Sequence, residues 1–113
     1  MLSGILVLDK PIKISSGDYV RKLKKYLTKE KIGHAGTLDP MATGILIACI
    51  GQMTRFSDYL ANLPKSYEAE ILLGQQTNTG DTQGEVIETT NFIPSRDQLE
   101  KILECFVGEI DQV

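Results

Sequence analysis

Gly44-Ile45-Leu46-Ile47-Ala48-Cys49-Ile50-Gly51 is the stretch that decides the fold class. A continuous apolar run flanked by two glycines reads as a central strand. Upstream, Gly4-Ile5-Leu6-Val7-Leu8 is a second apolar run, bounded by Gly4 and by Asp9-Lys10-Pro11, and reads as a buried strand ending in a turn. Ser15-Ser16-Gly17-Asp18 offers N-cap candidates before an amphipathic helix over residues 19–28. Its apolar residues Tyr19, Val20, Leu23, Tyr26 and Leu27 share one face, so Arg21, Lys22, Lys24 and Lys25 point away from the core. Residues 31–44 have no periodicity and carry Gly33, Gly36, Pro40 and Gly44, which predicts a loop.

Downstream of the central run, residues 54–60 suit a short helix. Tyr67, Ala69, Ile71 and Leu73 alternate with Ser66, Glu68, Glu70 and Leu72, the pattern of a half-buried strand. A polar turn region over 75–84 then leads to a strand over 85–89, expected to pair with the preceding one. Ser95 and Gln98 form a capping box, Leu99, Ile102, Leu103 and Phe106 make one apolar face, and Gly108 supplies the stop of a last helix. The order β-α-loop-β-α-β-β-α, without repeats or a low-complexity linker, implies a mixed α/β or α+β sheet domain.

Composition narrows the classes. The 113 residues, 42% apolar and 24% charged, are those of a globular chain and exclude disorder. The longest apolar stretch falls far short of the ~20 residues of a membrane helix. Asp9, Lys10 and Lys13, with no small-residue cleavage site, argue against a secretory signal. Cys49 and Cys105 lack metal-ligand spacing and read as reduced core residues of a cytoplasmic protein. The net charge of −3 hides a sorting along the chain. Residues 10–31 hold eight Lys/Arg against Asp18 and Glu30, net +6, while residues 66–113 are net −8. A block this basic in an acidic protein fits a local polyanion site, or else a solvated helix face.

The chemistry concentrates in Gly33-His34-Ala35-Gly36-Thr37-Leu38-Asp39-Pro40-Met41-Ala42-Thr43-Gly44. Three glycines around one His and one Asp describe a backbone held close to a ligand. Pro40 pushes Asp39 to the extended region, from which its carboxylate could serve as nucleophile or general base. Asp followed by Pro is equally the start pattern of a helix. His34 reads as a general base, an RNA-stacking ring or a plain loop residue. As the only His, without a nearby acidic or Cys partner in sequence, it makes a metal site improbable.

This loop resembles the catalytic loop of the TruB-type tRNA pseudouridine-55 synthases. The resemblance extends to Leu8-Asp9-Lys10-Pro11 with Ser15-Ser16, to Gly51-Gln52-Met53-Thr54-Arg55, and to Lys65-Ser66-Tyr67. It also includes Leu73-Gly74 with Thr77, Thr79, Asp81 and Gly84, all in the family's order and spacing. Lys13 departs from the usual Gly, Ser15 from Thr, Met53 from Ala and Asn78 from Asp, and none of these removes a group the chemistry needs.

The resemblance implies a pseudouridine synthase catalytic fold, a largely antiparallel sheet flanked by helices. Residues 1–113 would be its N-terminal portion, with the rest of the catalytic segment and any C-terminal RNA-binding domain outside them. It implies isomerisation of a T-arm-loop uridine of tRNA to pseudouridine by a monomer, without cofactor, metal or membrane. Asp39 would be the nucleophile, with the target base flipped out of the folded loop to reach it. His34 would hold the flipped conformation, and Tyr67 would stack on the base unless it is a core strand tyrosine. Lys10, Pro11, Gly36, Thr37 and Lys65 would join the substrate-binding set, Lys10 and Pro11 as its floor. Lys22, Lys24 and Lys25 are candidate phosphate contacts. The family's Arg partner for the nucleophile lies further along, neither Arg21 nor Arg55 matches it, and the 113 residues alone are expected to be inactive. Asp81, in its polar turn, reads as structural.

Two rival readings remain at this level. A non-catalytic RNA-binding or tRNA-folding module would use the basic helix without Asp39. A guide-RNA-dependent relative is the other, though the short lead before Gly4 and the acidic net charge favour the stand-alone type.

Overall fold

β3 (Gly44–Ile50) is the central strand of a three-stranded antiparallel sheet ordered β1-β3-β2, as its unbroken apolar run demands. This emerges from a computed structural model of the chain that describes residues 2–111. β1 (Gly4–Lys10) pairs along β3 from Gly4 opposite Ile50 to Lys10 opposite Gly44. β2 (Ile32–Ala35) pairs on the other side, Ile32 opposite Ile50 and Ala35 opposite Ile47. The chain divides into two compact units, Met1–Ser66 and Tyr67–Val113.

In the first unit α1 (Ser16–Leu23) covers one face of this sheet. Val20 of α1 packs with Leu46 and Ala48 of β3, and Leu8, Tyr19, Leu23, Ile32 and Leu38 close around them. Burying a side chain such as Leu46 contributes about 1.5–3 kcal/mol. Ser15 caps α1 by accepting the Asp18 N–H at 3.1 Å, and the Tyr19 hydroxyl donates to the Asp9 carbonyl at 3.0 Å, tying helix to strand. The helix starts earlier and ends sooner than its periodicity predicts. Residues 24–26 continue as turns bonded back to Arg21, Lys22 and Leu23, so Tyr26 leaves the apolar face and is exposed. After β3, a 3₁₀ helix (Gly51–Phe56) and α2 (Ser57–Ala61) occupy the predicted short helix, and α2 lies against β2. Gly51 needs its φ of 62° and its missing side chain, because a Cβ there would collide with the Leu2 carbonyl.

Two strand expectations change. Residues 32–35 are strand rather than loop: Gly33 and His34 erase any sequence periodicity, and pairing with the open edge of β3 supplies the hydrogen bonds. Residues 67–72 are irregular and exposed despite their alternation. The strand that pairs with β5 (Val86–Thr89) is instead β4 (Gln75–Thr77), in an antiparallel two-stranded sheet of the second unit. α3 (Arg96–Glu104) follows, with the Ser95–Gln98 capping box formed in both directions. Cys49 is buried in β3 as expected, but Cys105 sits at the end of α3 and is exposed, because the apolar face of that helix is uncovered. The result is a mixed helix and antiparallel-sheet chain with two sheets. Among the described residues no helix is long and apolar enough to cross a membrane.

Candidate active site

The connection from β2 to β3 is held on both sides of Asp39. Leu38 turns inward against the Val20, Leu46 and Ala48 core, which leaves Asp39 facing solvent. Buried Ser16, in the first turn of α1, grips Leu38 twice. Its Oγ accepts the Leu38 N–H at 2.9 Å and donates to the Leu38 carbonyl at 3.0 Å. On the far side, the Pro40 carbonyl accepts the Lys13 N–H at 2.7 Å and the Lys10 ammonium at 3.4 Å. The Asp39 carbonyl itself accepts the Ala42 N–H at 2.9 Å. Asp39-Pro40 is therefore the start of a tight turn, with Asp and Pro at positions that turns favour, and no helix follows it.

Lys10 is fully buried, without a carboxylate partner among the described residues. Its ammonium is satisfied by carbonyls alone, those of Pro11 and Ile14 at 2.9 Å each besides Pro40. Three donors directed at three backbone oxygens meet the requirement that a buried charge be fully hydrogen-bonded. The ammonium thus fastens the end of β1, the turn before α1 and the Asp39 loop to one another. The Asp39 carboxylate has no side-chain or backbone partner among the described residues, so it is available to a ligand.

His34 lies on β2, half-buried, with Nδ1 2.6 Å from the Gly36 carbonyl. A carbonyl only accepts, so Nδ1 carries the proton and Nε2 is left for another partner. Gly36 takes φ 81°, which turns its carbonyl back to that ring, and the stem of Lys65 passes beside it. The Lys65 ammonium donates to the carbonyls of Ala61 and, at 3.2 Å, Leu63 at the end of α2. Pro11 and Thr37 are exposed. Tyr67 belongs to the second unit and is exposed there. Arg21 pairs with Asp18, whereas Lys22, Lys24 and Lys25 are exposed without an ion-pair partner among the described residues. No cluster of three His, Cys, Asp or Glu suited to a metal occurs among those residues. Burial pushes the Cys49 thiol up from its ordinary range.

The tie between Ser16 and Leu38 escaped the sequence reading, which took Ser16 as an N-cap candidate. Ser15 and Ser16 look alike as caps, and only the fold brings the second to a residue 22 positions away. The inward turn of a lone Leu in an aperiodic loop has no sequence signature either.

Residues 24–113, including the whole Asp39 loop, match the family described as TruB family pseudouridylate synthase (N terminal domain). The chain belongs to the TruB family. Two similar TruB-family relatives are the tRNA pseudouridine synthase B of Vibrio atlanticus, 45% identical over 112 residues, and that of Burkholderia lata, 48% identical over 113 residues. They cover 99% and 100% of this chain and 35% of each relative. That of Pseudomonas putida strain F1 is 45% identical over 112 residues, 99% of this chain and 37% of its own length. The chain thus spans about a third of the length of the TruB relatives it matches.

Proposed function

We propose that this chain is the nucleophile-bearing part of an enzyme that isomerises a uridine in the T-arm loop of tRNA to pseudouridine. The observation that carries the reading is Asp39: an exposed carboxylate, unpartnered among the described residues, on a turn clamped at both neighbours. Isomerisation breaks the N-glycosidic bond, turns the uracil and forms a C–C glycosidic bond, all without a cofactor. An ionised carboxylate on a fixed backbone is the group that such chemistry needs, since a carboxylate held in place avoids the entropy of finding its target. A base stacked in a folded loop must be flipped to reach it. Tyr67, exposed and aromatic, suits stacking on the flipped base, worth typically ~1–3 kcal/mol. His34 offers Nε2 to the RNA, and the unpaired Lys22, Lys24 and Lys25 suit its phosphates. The names of the TruB relatives, tRNA pseudouridine synthase B, support tRNA as the substrate class.

Asp39→Asn in the natural full-length protein tests the reading. Pseudouridine formation on tRNA falls by more than 1,000-fold, on the order of the losses seen when a nucleophile is removed, while tRNA affinity changes little. Unchanged product formation returns the chain to the class of RNA-binding modules. A bare T-arm stem-loop is modified by a stand-alone enzyme and left intact by a guided one.

A further inference from the structure

We propose that Ser16 is a positioning residue for Asp39, resting on the isomerase reading above. Leu38 carries one peptide group on each side, and its carbonyl belongs to the peptide plane whose nitrogen is that of Asp39. Ser16 Oγ bonds both groups of Leu38, at 2.9 Å to the N–H and 3.0 Å to the carbonyl. The rotation of the Leu38–Asp39 plane is therefore set by α1. The next plane is fixed by the Asp39 carbonyl to Ala42 N–H bond at 2.9 Å, and the one after by the Lys10 and Lys13 donors on Pro40. Of these ties, the one on the N-terminal side of Asp39 is a single buried hydroxyl, 1% exposed.

The adjacent serine has a different task. Ser15 Oγ accepts the Asp18 N–H at 3.1 Å and donates to the Asp18 carboxylate at 2.8 Å, which caps α1 and does not reach the loop. The two hydroxyls sit at the same helix end and are separable by substitution. Ser15→Ala loosens the helix start alone, whereas Ser16→Ala frees Leu38 and leaves two sheltered backbone groups short of a partner. Misplacing a reacting group by about 1 Å costs roughly 100-fold.

The experiment compares Ser16→Ala, Ser15→Ala and Asp39→Asn in the natural full-length protein. Single-turnover rates are measured at saturating tRNA, with hydrogen–deuterium exchange of residues 37–42 followed in parallel. Expected for Ser16→Ala is a rate lower by about 10- to 100-fold, tRNA affinity within about 2-fold, and faster exchange at Leu38, whose N–H the Ser16 hydroxyl accepts. Ser15→Ala keeps both the rate and the exchange of the loop. An unchanged rate in Ser16→Ala, or an equal fall in Ser15→Ala, overturns the proposal. If Ser16→Ala does not fold, Ser16→Cys replaces it, its thiol fitting the space but bonding weakly; a Cys variant as fast as the parent also overturns it. An Asp39→Asn protein with full activity overturns the isomerase reading instead, and the exchange data then still decide whether Ser16 holds the loop.

Discussion

Lys13 holds φ at 66°, a left-handed backbone conformation that costs a side-chain-bearing residue roughly 1–2 kcal/mol. The conformation is forced by its position, since the Lys13 N–H must reach the Pro40 carbonyl at 2.7 Å while the chain turns from β1 into α1. Glycine takes that φ without strain. Lys13→Gly is therefore expected to stabilise the protein. Removing the strain gains more than the extra freedom of the unfolded glycine loses, leaving about 0.5–1 kcal/mol. Urea unfolding of the two proteins, with equal m-values, measures it, and a lower midpoint for the glycine variant refutes it. Neither the strain nor the clamp could be read at the residue itself. Lys10, Lys13 and Ser16 all act on residues 38–40, more than twenty positions later, so their roles exist only once the sheet has brought those segments together. Asp39 stood out as a candidate because the glycines, His34 and Pro40 of its loop lie within twelve residues of chain, whereas the groups that clamp the loop do not.

At the scale of elements, legibility follows where each one draws its stability. β3 and α3 announce themselves, the first through six consecutive apolar residues and the second through Ser95 and Gln98, whose reciprocal bonds lie within four residues of chain. β2 is a strand through its partner alone, and Ile32-Gly33-His34-Ala35 carries no pattern to reveal it. Residues 67–73 mislead in the opposite sense. Alternation makes them competent for a sheet, yet a strand needs a ladder of hydrogen bonds, and β5 gives its own to Gln75–Thr77. The turn between β4 and β5 is organised by Asp81. Its carboxylate accepts from the Thr79 hydroxyl at 2.7 Å and the Gln83 N–H at 2.8 Å. The Thr79 hydroxyl, then the Gln83 and Gly84 N–H groups, hold the carboxyl below its ordinary value of 3.8. The folded pKa is depressed, so this stabilisation is present above the unfolded value and disappears as pH falls through the folded one. The Gln83 amide resonance is expected to titrate with a midpoint below 3.8, and a midpoint above it would remove Asp81 from the turn's support.

Across the whole molecule the charge is partitioned as the chain is. Residues 1–66 hold ten Lys/Arg and five Asp/Glu, and residues 67–113 hold two and ten, so a net charge of −3 conceals units of +5 and −8. The positive unit is the one that carries the Asp39 loop, and Lys22, Lys24 and Lys25 stand exposed on it without an ion-pair partner among the described residues. A solvated face and a phosphate site differ in one measurable respect: only the second releases counterions when RNA binds. Each phosphate contact contributes about 0.7–0.9 to the slope of log affinity against log salt. Replacing Lys22, Lys24 and Lys25 together by alanine in the natural full-length protein is expected to weaken tRNA binding and flatten that slope by about 2–3. Arg21→Ala serves as the control, because its guanidinium is already paired with Asp18 and is expected to move the slope much less. A triple variant whose slope equals that of the parent assigns these lysines to a solvated face and leaves RNA affinity to other residues of the protein.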